Sequence, residues 1–310
     1  MNLSSQNTHT KAIIALILVC IFWGTTYLAI RLGLSGSEDT KVHGFFLAAL
    51  RQSVAGIILI SWMLFNKVKF PSTTTFMQLS ALGVLMLSMG NGFASWSMHY
   101  IPSGLASVMS ASGPVFIAIL SHFLIAKVNW TFQLIGGMIL GIIGVIGISF
   151  DYIDSFDKPG FSFGLILNFM ATVVWSVGSV LAAKWKPDVN LLMGAGIQML
   201  VGGLIMWCVV GFVGYGNLVQ GTLGFNFWCS VIYLIVFGSL ISYSAFMYTL
   251  EHLPPAQASL YAYINPIVAV LLGWWVLHEN LNLITILSML TTITGVFLVN
   301  SSFKKNKKEA

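Results

Sequence analysis

The sequence predicts an all-α membrane protein of ten transmembrane helices, and three observations lead to this prediction. The chain has 310 residues, of which 57% are hydrophobic and only 7% are charged, whereas soluble domains carry roughly 25% charged residues. Ten apolar runs are each long enough, at about 20 residues, to cross a hydrocarbon core as a helix. Finally, lysines and arginines are concentrated in every second connecting loop, as expected for a multi-pass protein.

The ten runs follow one another with short connections. They cover residues 12–31, 44–65, 75–96, 103–125, 131–150, 161–183, 190–213, 227–249, 256–277 and 283–302. The first run follows Lys11 and lacks a convincing small-residue cleavage site, so it is interpreted as a retained span and not as a signal peptide. None of the connections is long enough for a soluble domain, and lipid is therefore the expected solvent of most of the surface.

The basic residues predict the orientation of the chain. If the N-terminus is cytoplasmic, ten of them fall inside, namely Lys11, Lys67, Lys69, Lys127, Lys184, Lys186 and the tail residues Lys304, Lys305, Lys307 and Lys308. Only Arg31, Lys41 and Lys158 fall outside, and Arg51 lies within a span. Because the number of spans is even, we expect a multi-pass protein of the inner membrane with both termini in the cytoplasm.

Several function classes lack support in the sequence. The net charge is +5, but the basic residues are scattered and form no nucleic-acid stripe. Three cysteines inside apolar runs form neither a disulfide framework nor a zinc site. Gly160 to Gly164 match the G-x-S-x-G pattern of hydrolases, but this segment opens the sixth run, so Ser162 is interpreted as a helix-start residue. We expect no enzyme activity, no cofactor, no metal and no nucleic-acid partner.

The two halves of the chain resemble each other. One shift of 152 residues relates several landmarks, which are Trp23 and Trp175, Pro102 and Pro254, Ala106 and Ala258, Ser107 and Ser259, and Pro114 and Pro266. Five spans per repeat is an odd number, so the repeats insert into the membrane in opposite senses, which is typical of secondary transporters. The predicted units are residues 1–155 and residues 156–310, the second with the basic tail.

Short motifs along the chain resemble those of the EamA-type transporters in the drug/metabolite transporter superfamily. They occur in order over nearly the whole chain: residues 22–27 (FWGTTY), 90–92 (GNG), 102–106 (PSGLA), 261–266 (YAYINP) and 278–281 (HENL). The last resembles the "Gly-Glu-x-Leu" signature of that family, with His278 in place of the glycine. The resemblance implies ten helices in two inverted five-helix bundles, a central cavity, and in many members the export of amino acids or other metabolites.

Arg51 is the most informative candidate for solute binding. It lies about seven residues into the second run, or roughly 10 Å of helical rise from its outer end. Ionisable residues inside a span usually face the interior of the bundle and mark a solute path. The alternative is that Arg51 extends to the outer interface or caps carbonyls of a neighbouring helix. If Arg51 binds a solute, its fork of donors suits a carboxylate, and its apparent counterpart Gln198 adds a neutral donor and acceptor.

Aromatic and amide side chains form the second group of candidates. Tryptophan and tyrosine are expected to line an amphipathic pocket in which asparagines orient the solute. The alternative for each residue is packing or a place in the interfacial aromatic belt. The predicted binding residues are Trp23, Asn91, Trp175, Tyr243, Tyr261 and Asn265, and the same group contains Trp96, Ser110, Ser112 and Tyr263.

Two prolines, one glycine-rich run and one carboxylate have structural interpretations. Pro114 and Pro266 lie in corresponding runs, and the breaks that they introduce suit helices that rock during alternating access, although static kinks are the alternative. The glycines from Gly136 through Gly147 favour close helix packing. Glu279 lies near a helix start, where it is expected to cap the helix or interact with its dipole.

These features together predict a secondary transporter that exports a small amphipathic metabolite, such as an amino acid, by alternating access. Uptake or facilitated movement of the same solute class is an alternative, as is a polytopic membrane protein that transports nothing. No acidic residue stands out within a span, which leaves proton exchange without an evident carrier group. The expected partners are a small-molecule substrate and the lipid bilayer, and the expected functional unit is a monomer.

Overall fold

The computed structural model describes residues 3–34, 41–124, 131–150, 152–214, 219–220, 223–253, 261–279 and 281–309. The helices are α1 (Leu3–Leu34), α2 (Gly44–Phe65), α3 (Thr73–Ser97), α4a (Ser103–Ser110), α4b (Gly113–Leu124), α5 (Phe132–Phe150), α6 (Phe161–Trp185), α7 (Leu191–Val213), α8 (Phe225–His252), α9 (Tyr261–Leu277) and α10 (Leu283–Glu309). A short 3₁₀ turn, Ile153–Ser155, precedes α6. Strands β1 (Lys41–Val42) and β2 (Val219–Gln220) form a two-residue antiparallel pair.

The prediction of a helical membrane protein is confirmed. Within the described residues, eight helical spans from α1 to α8 are long and apolar enough to cross a bilayer. The apolar parts of α9 and α10, Ile264–Leu277 and Leu283–Val299, are shorter. Large apolar side chains face outward along the helices, and Phe132 and Phe212 are 97% and 94% exposed. Such a surface is stable in lipid because hydrocarbon does not penalise exposed apolar groups.

Several helix boundaries differ from the apolar runs. Helix α1 begins at Leu3, about three turns before the first run, and α10 continues through the lysine-rich tail to Glu309. Hydropathy marks only the part of a helix that lies in lipid, whereas the backbone hydrogen bonds of the helix continue into water. The helices are therefore longer than the apolar runs. Helix α9 is described only from Tyr261, and Pro254, Ala258 and Ser259 of the repeat pattern lie outside the described residues, as do Lys127 and Asn280.

Two helices contain π-helical segments that the hydropathy pattern does not reveal. Helix α3 is π-helical over Gly83–Asn91, and α8 is π-helical over Leu234–Ile241. The second segment begins 151 residues after the first, close to the shift that relates the two halves of the sequence. π-Helical turns are rare and are often found at functional sites. Both segments border the central cavity described below.

Polar side chains cap several helix starts where the sequence provides them. Ser72 accepts from the Thr75 backbone N–H before α3, and Asn190 accepts from the Leu192 and Met193 N–H groups before α7. His43 Nδ1 accepts from the Phe45 N–H at 3.2 Å before α2. Burial, and the charge of nearby His99, lower the pKa of His43 to about 4, so the imidazole stays neutral and its nitrogen remains an acceptor.

The helices pack in matched combinations. Helix α2 lies along α7, and α5 lies along α10. Helix α1 packs against α8 and α9, while α6 packs against α3 and α4b. Between α5 and α10 the backbones approach closely, since a Cβ on Gly137 would lie 2.7 Å from the Gly295 carbonyl oxygen. Gly137, Gly144 and Gly147 therefore have the packing role predicted for the glycines of the fifth run, whereas a Cβ on Gly136 would meet nothing within 4 Å.

Glu279 caps the start of α4a from the loop after α9. Its Oε1 accepts from the Ser103 backbone N–H at 2.8 Å and from the Ser103 hydroxyl at 2.7 Å, and Oε2 accepts from the Gly104 N–H at 3.0 Å. This capping role agrees with the sequence prediction, although the capped helix lies in the other half of the chain. The contact joins the C-terminal end of α9 to the start of α4a.

The Glu279→Ala variant is expected to lower the free energy of unfolding by about 1–3 kcal/mol, because it leaves the amide donors at the start of α4a without their acceptor. Thermal unfolding of the purified variant in detergent would measure this loss. Asp157→Ala removes an exposed carboxylate and serves as the control. Equal melting temperatures for the two variants would contradict the capping role.

Candidate functional site

A cavity of about 170 Å³ lies between the helices near the middle of the molecule. Residues of α1, α2, α3, α4a, α4b, α6, α7, α8 and α9 line it, so both halves of the chain contribute. Nine of the ten residues that the sequence singled out for binding or gating lie in its wall: Trp23, Arg51, Asn91, Pro114, Trp175, Tyr243, Tyr261, Asn265 and Pro266. The volume is below the roughly 300–1,000 Å³ of pockets for drug-sized ligands, which favours a smaller solute.

Arg51 supplies the positive charge of the cavity wall. Its side chain is only 4% exposed, and Nε donates to the Ser239 hydroxyl on α8 at 2.8 Å. Among the described residues no carboxylate pairs with this guanidinium, and no aspartate or glutamate lines the cavity. The alternative in which Arg51 extends to the outer interface is therefore wrong. A buried guanidinium without a counter-ion is costly, so this site favours an anionic group.

The backbone of α8 makes room for Arg51 at a glycine. A Cβ on Gly238 would lie 2.9 Å from Arg51 Nη2 and 2.9 Å from Thr26 Cγ2. The Gly238 carbonyl also accepts from Trp23 Nε1 at 3.2 Å. Gly238 and Ser239 both belong to the π-helical segment Leu234–Ile241, which thus presents its backbone and one hydroxyl to the cavity. The π-helical geometry explains how α8 meets α1 and α2 at one point.

The Gly238→Val variant is expected to displace the guanidinium of Arg51, because the added atoms occupy the space of Nη2. We expect an affinity for an acidic solute at least about tenfold weaker, in keeping with the loss of one charged hydrogen bond. Isothermal titration on the purified protein would measure it. Gly211→Val is the matched control because a Cβ there meets nothing within 4 Å. Unchanged affinity in Gly238→Val would contradict the proposed position of Arg51 in the bound state.

Aromatic rings form one wall of the cavity around Trp23. The Trp23 ring centroid lies 5.1 Å from that of Tyr261 and 6.3 Å from that of Trp175, both in edge-to-face arrangements. Phe246 lies 4.8 Å from Trp23 and 5.3 Å from Tyr261. Trp23 and Trp175, which correspond at the shift of 152 residues, are thus brought together at the boundary of the two halves. The wall offers apolar faces with few donors, which suits the apolar part of a solute.

Gln198 was predicted to bind the solute but does not line the cavity. It is 4% exposed on α7, and its Oε1 accepts from the Tyr243 hydroxyl at 2.8 Å. Tyr243 does line the cavity. The Gln198 amide thus contacts a wall residue from behind, and its role in solute binding stays a prediction. The counterpart relation between Arg51 and Gln198 in the sequence did not indicate this difference.

The side-chain amides of the two asparagines differ in their hydrogen bonding. Among the described residues the Asn91 amide has no hydrogen-bond partner, although Asn91 lines the cavity at the end of the π-helical segment of α3. In the amide orientation that its surroundings favour, Asn265 Nδ2 donates to the carbonyls of Tyr261 at 3.2 Å and of Cys20 at 3.0 Å. Asn265 thus joins α9 to α1, and Asn91 remains available to a solute.

The two prolines occupy different positions in their helices. Pro266 lies inside α9, where the helix continues past it. The fourth run is broken at Ala111 and Ser112, and Pro114 is the second residue of α4b. At that position proline leaves no donor unpaired, because the first N–H groups of a helix have no internal partner. The predicted break next to Pro114 is therefore present in the fourth run, and the gating role of both prolines stays a prediction.

Sequence reasoning missed several wall residues. Gln52, Thr26, Tyr27 and Ser239 all line the cavity, and Phe246 completes the aromatic group. Gln52 had a detectable signal, since it is a polar residue next to Arg51 within an apolar run. Thr26 and Ser239 had none, because single hydroxyl residues are common in membrane helices, where they bond to their own backbone.

Other candidates lie away from the cavity wall or serve the fold. Trp96 packs against Phe45 and His43, with ring centroids 5.5 Å and 4.7 Å away. Ser110 lines the cavity and donates to the Ala106 carbonyl, Ser112 donates to the Met109 carbonyl, and the Tyr263 side chain lies outside the described residues. Ser162 lies in the first turn of α6, as predicted. The described residues contain no group of metal-ligating side chains.

Comparisons with known proteins match most of the chain. The model of the EamA-like transporter family matches twice, over residues 10–150 and 162–301. The "Uncharacterized inner membrane transporter YedA" of Escherichia coli (strain K12) is 30% identical over 289 residues, which span 92% of this chain and 89% of that protein. The "Uncharacterized transporter YoaV" of Bacillus subtilis (strain 168) is 20% identical over 303 residues, spanning 96% and 99%. A solved crystal structure shares the fold with a TM-score of 0.66 and 17% identity, over 97% of this chain and 99% of that one.

Proposed function

Because this chain belongs to the EamA-like transporter family of the drug/metabolite transporter superfamily, we propose that it exports a small amphipathic metabolite with an acidic group, such as an amino acid, by alternating access. The observation that carries the proposal is the buried Arg51, which has no carboxylate partner among the described residues and faces an aromatic wall. An acidic group on the solute neutralises this charge, and an apolar side chain packs on Trp23 and Trp175.

Two inverted five-helix repeats, residues 1–155 and 156–310, are the proposed architecture. Three observations support it: the family model matches each half separately, the π-helical segments recur at a shift of 151 residues, and the helices pack in matched combinations. A pseudo-twofold axis in the membrane plane would relate α2 to α7 and α5 to α10. In this architecture α9 and α10 are spans as well, and the lysine distribution favours cytoplasmic termini.

Movement of the halves would expose the cavity to each side in turn. In the proposed orientation, Phe246 lies toward the cytoplasmic end of α8 and Tyr261 toward that of α9. Both rings contact Trp23, and in this orientation the three would form an aromatic layer between the cavity and the cytoplasm. The broken α4a–α4b connection and the proline in α9 supply the flexible points about which the outer and inner parts of the helices move.

Purified full-length protein tests the proposal in two steps. A thermal-shift screen against amino acids, organic acids, amines, sugars and nucleobases identifies the solutes that stabilise the native state by mass action. Proteoliposomes loaded with a stabilising solute then report its release and, in the reverse arrangement, its uptake. Flux of an acidic or zwitterionic solute above that of empty liposomes is the expected result. Stabilisation by amines or sugars alone, or no flux of any stabilising solute, would overturn the proposal.

A further inference from the structure

Gln52 is the one fully buried cavity residue whose amide is left unsatisfied in the described part of the chain. It follows Arg51 on α2, is 1% exposed and lines the cavity. Its Oε1 is buried without any hydrogen-bond partner, and none of the described residues bonds to its nitrogen. Buried polar groups are almost always paired in native proteins, and an exception calls for an explanation.

The neighbouring polar groups of the wall are already committed or carry the opposite chemistry. Arg51 Nε is bonded to Ser239, and the amide oxygen of Gln198 accepts from Tyr243. Arg51 offers only donors, whereas the Gln52 oxygen offers an acceptor. The two consecutive residues thus place a cation and an unsatisfied amide in the wall of the same cavity.

We propose that Gln52 is a specificity-determining residue that accepts a hydrogen bond from an N–H group of the solute, next to the acidic group bound by Arg51. This inference rests on the proposed function and adds a requirement to it. A solute that lacks the N–H donor leaves the buried oxygen unpaired, so it binds more weakly than one that carries the donor. The recognised unit is therefore an acidic group with a nitrogen donor one or two bonds away.

The melting temperature of the solute-free protein distinguishes a role of Gln52 in solute binding from a role in stabilising the fold. If the amide stabilised the fold, its replacement by the nearly isosteric methionine would lower the melting temperature. Since no described residue bonds to it, Gln52→Met removes an unsatisfied buried acceptor and is expected to leave the melting temperature of the solute-free protein unchanged or higher. Stability and selectivity are then separable in one variant.

The experiment compares three matched probes on the full-length protein by isothermal titration: leucine, its desamino analogue 4-methylpentanoate and its decarboxylated analogue 3-methylbutylamine. The wild type is expected to bind leucine about tenfold or more tightly than 4-methylpentanoate, and 3-methylbutylamine weakest of all. In Gln52→Met the leucine affinity should fall to that of 4-methylpentanoate, whose own affinity stays the same. Gln78→Met on α3, outside the cavity wall, is the control and should retain the wild-type preference.

Several outcomes would overturn the inference. They are equal binding of leucine and 4-methylpentanoate by the wild type, equal weakening of both in Gln52→Met, a lower melting temperature of the empty variant, and binding of neither probe. Proteoliposome flux separates this failure from that of the proposed function. If an acidic solute crosses the membrane but its binding is indifferent to Gln52, the transporter proposal stands and only the role of Gln52 is lost.

Discussion

The Arg51→Gln variant is expected to lose nearly all binding of acidic solutes while keeping its fold. Removing one partner of a buried hydrogen-bonded charge pair typically costs about 2–5 kcal/mol of binding free energy, which corresponds to roughly thirtyfold to a few thousandfold in affinity. Glutamine keeps a donor in the cavity but removes the charge that balances the solute. The variant thus tests whether the positive charge of Arg51 is needed for solute binding, while a hydrogen-bond donor stays in the cavity.

The stability of the empty Arg51→Gln protein is a second readout. Because no described carboxylate balances Arg51, removing its charge relieves a buried unpaired cation, and the melting temperature should not fall. With solute at 100 times its wild-type dissociation constant, the wild type gains about 2.7 kcal/mol of stability by mass action, whereas a hundredfold weaker variant gains only a few tenths. Thermal unfolding with and without solute measures both quantities.

A control variant shows whether the loss of any positive charge, and not that of Arg51 in particular, weakens solute binding. Lys184→Gln removes a positive charge at the exposed end of α6 and should bind solute as the wild type does. If Arg51→Gln and the wild type are stabilised equally by the same acidic solute, Arg51 is a structural residue and the proposed anchor is wrong. A lower melting temperature of the empty variant would instead indicate that its bond to Ser239 holds α2 against α8.

The sequence predicted those features that the bilayer itself requires. Apolar runs, the buried Arg51 and the paired tryptophans are visible because a charge or a repeated aromatic residue inside a hydrophobic segment stands out from its neighbours. Trp23, Arg51 and Tyr261 line one cavity, and their role in solute binding stays a prediction.

Features that depend on backbone geometry could not be predicted from the polarity of the residues along the chain. The π-helical segments of α3 and α8 have no distinct hydropathy, since an extra residue per turn changes the direction of side chains and not their polarity. The break at Ala111 and Ser112 likewise has no apolar signature. Gln198 was assigned to the wall because of its sequence position, whereas packing turns its amide toward Tyr243. Each of these depends on contacts between helices that are distant in sequence.

Replacing Gly295 by valine is expected to cause a large loss of stability. A Cβ at this position of α10 would lie 2.6 Å from the Gly137 carbonyl oxygen, and its third-closest contact, Gly141 Cα, would lie at 2.9 Å. These are backbone atoms of α5, so no flexible side chain can move aside and the two helices must separate. Overpacking of a well-packed interface typically costs about 1–3 kcal/mol and occasionally more, and contact with backbone places this site at the upper end.

Gly136→Val on α5 supplies the matched control for this prediction, because a Cβ there meets nothing within 4 Å. Both variants introduce the same β-branched side chain into a membrane helix, so their intrinsic effects on the helix cancel in the comparison. We expect the melting temperature of Gly295→Val in detergent to fall well below that of Gly136→Val, with the latter close to the wild type. Similar melting temperatures would mean that α5 and α10 do not approach at these glycines. Glycine contacts of this kind let two helix backbones approach closely. The difference in melting temperature between the two variants therefore measures how much stability comes from the packing of α5 against α10, the last helices of the two proposed repeats.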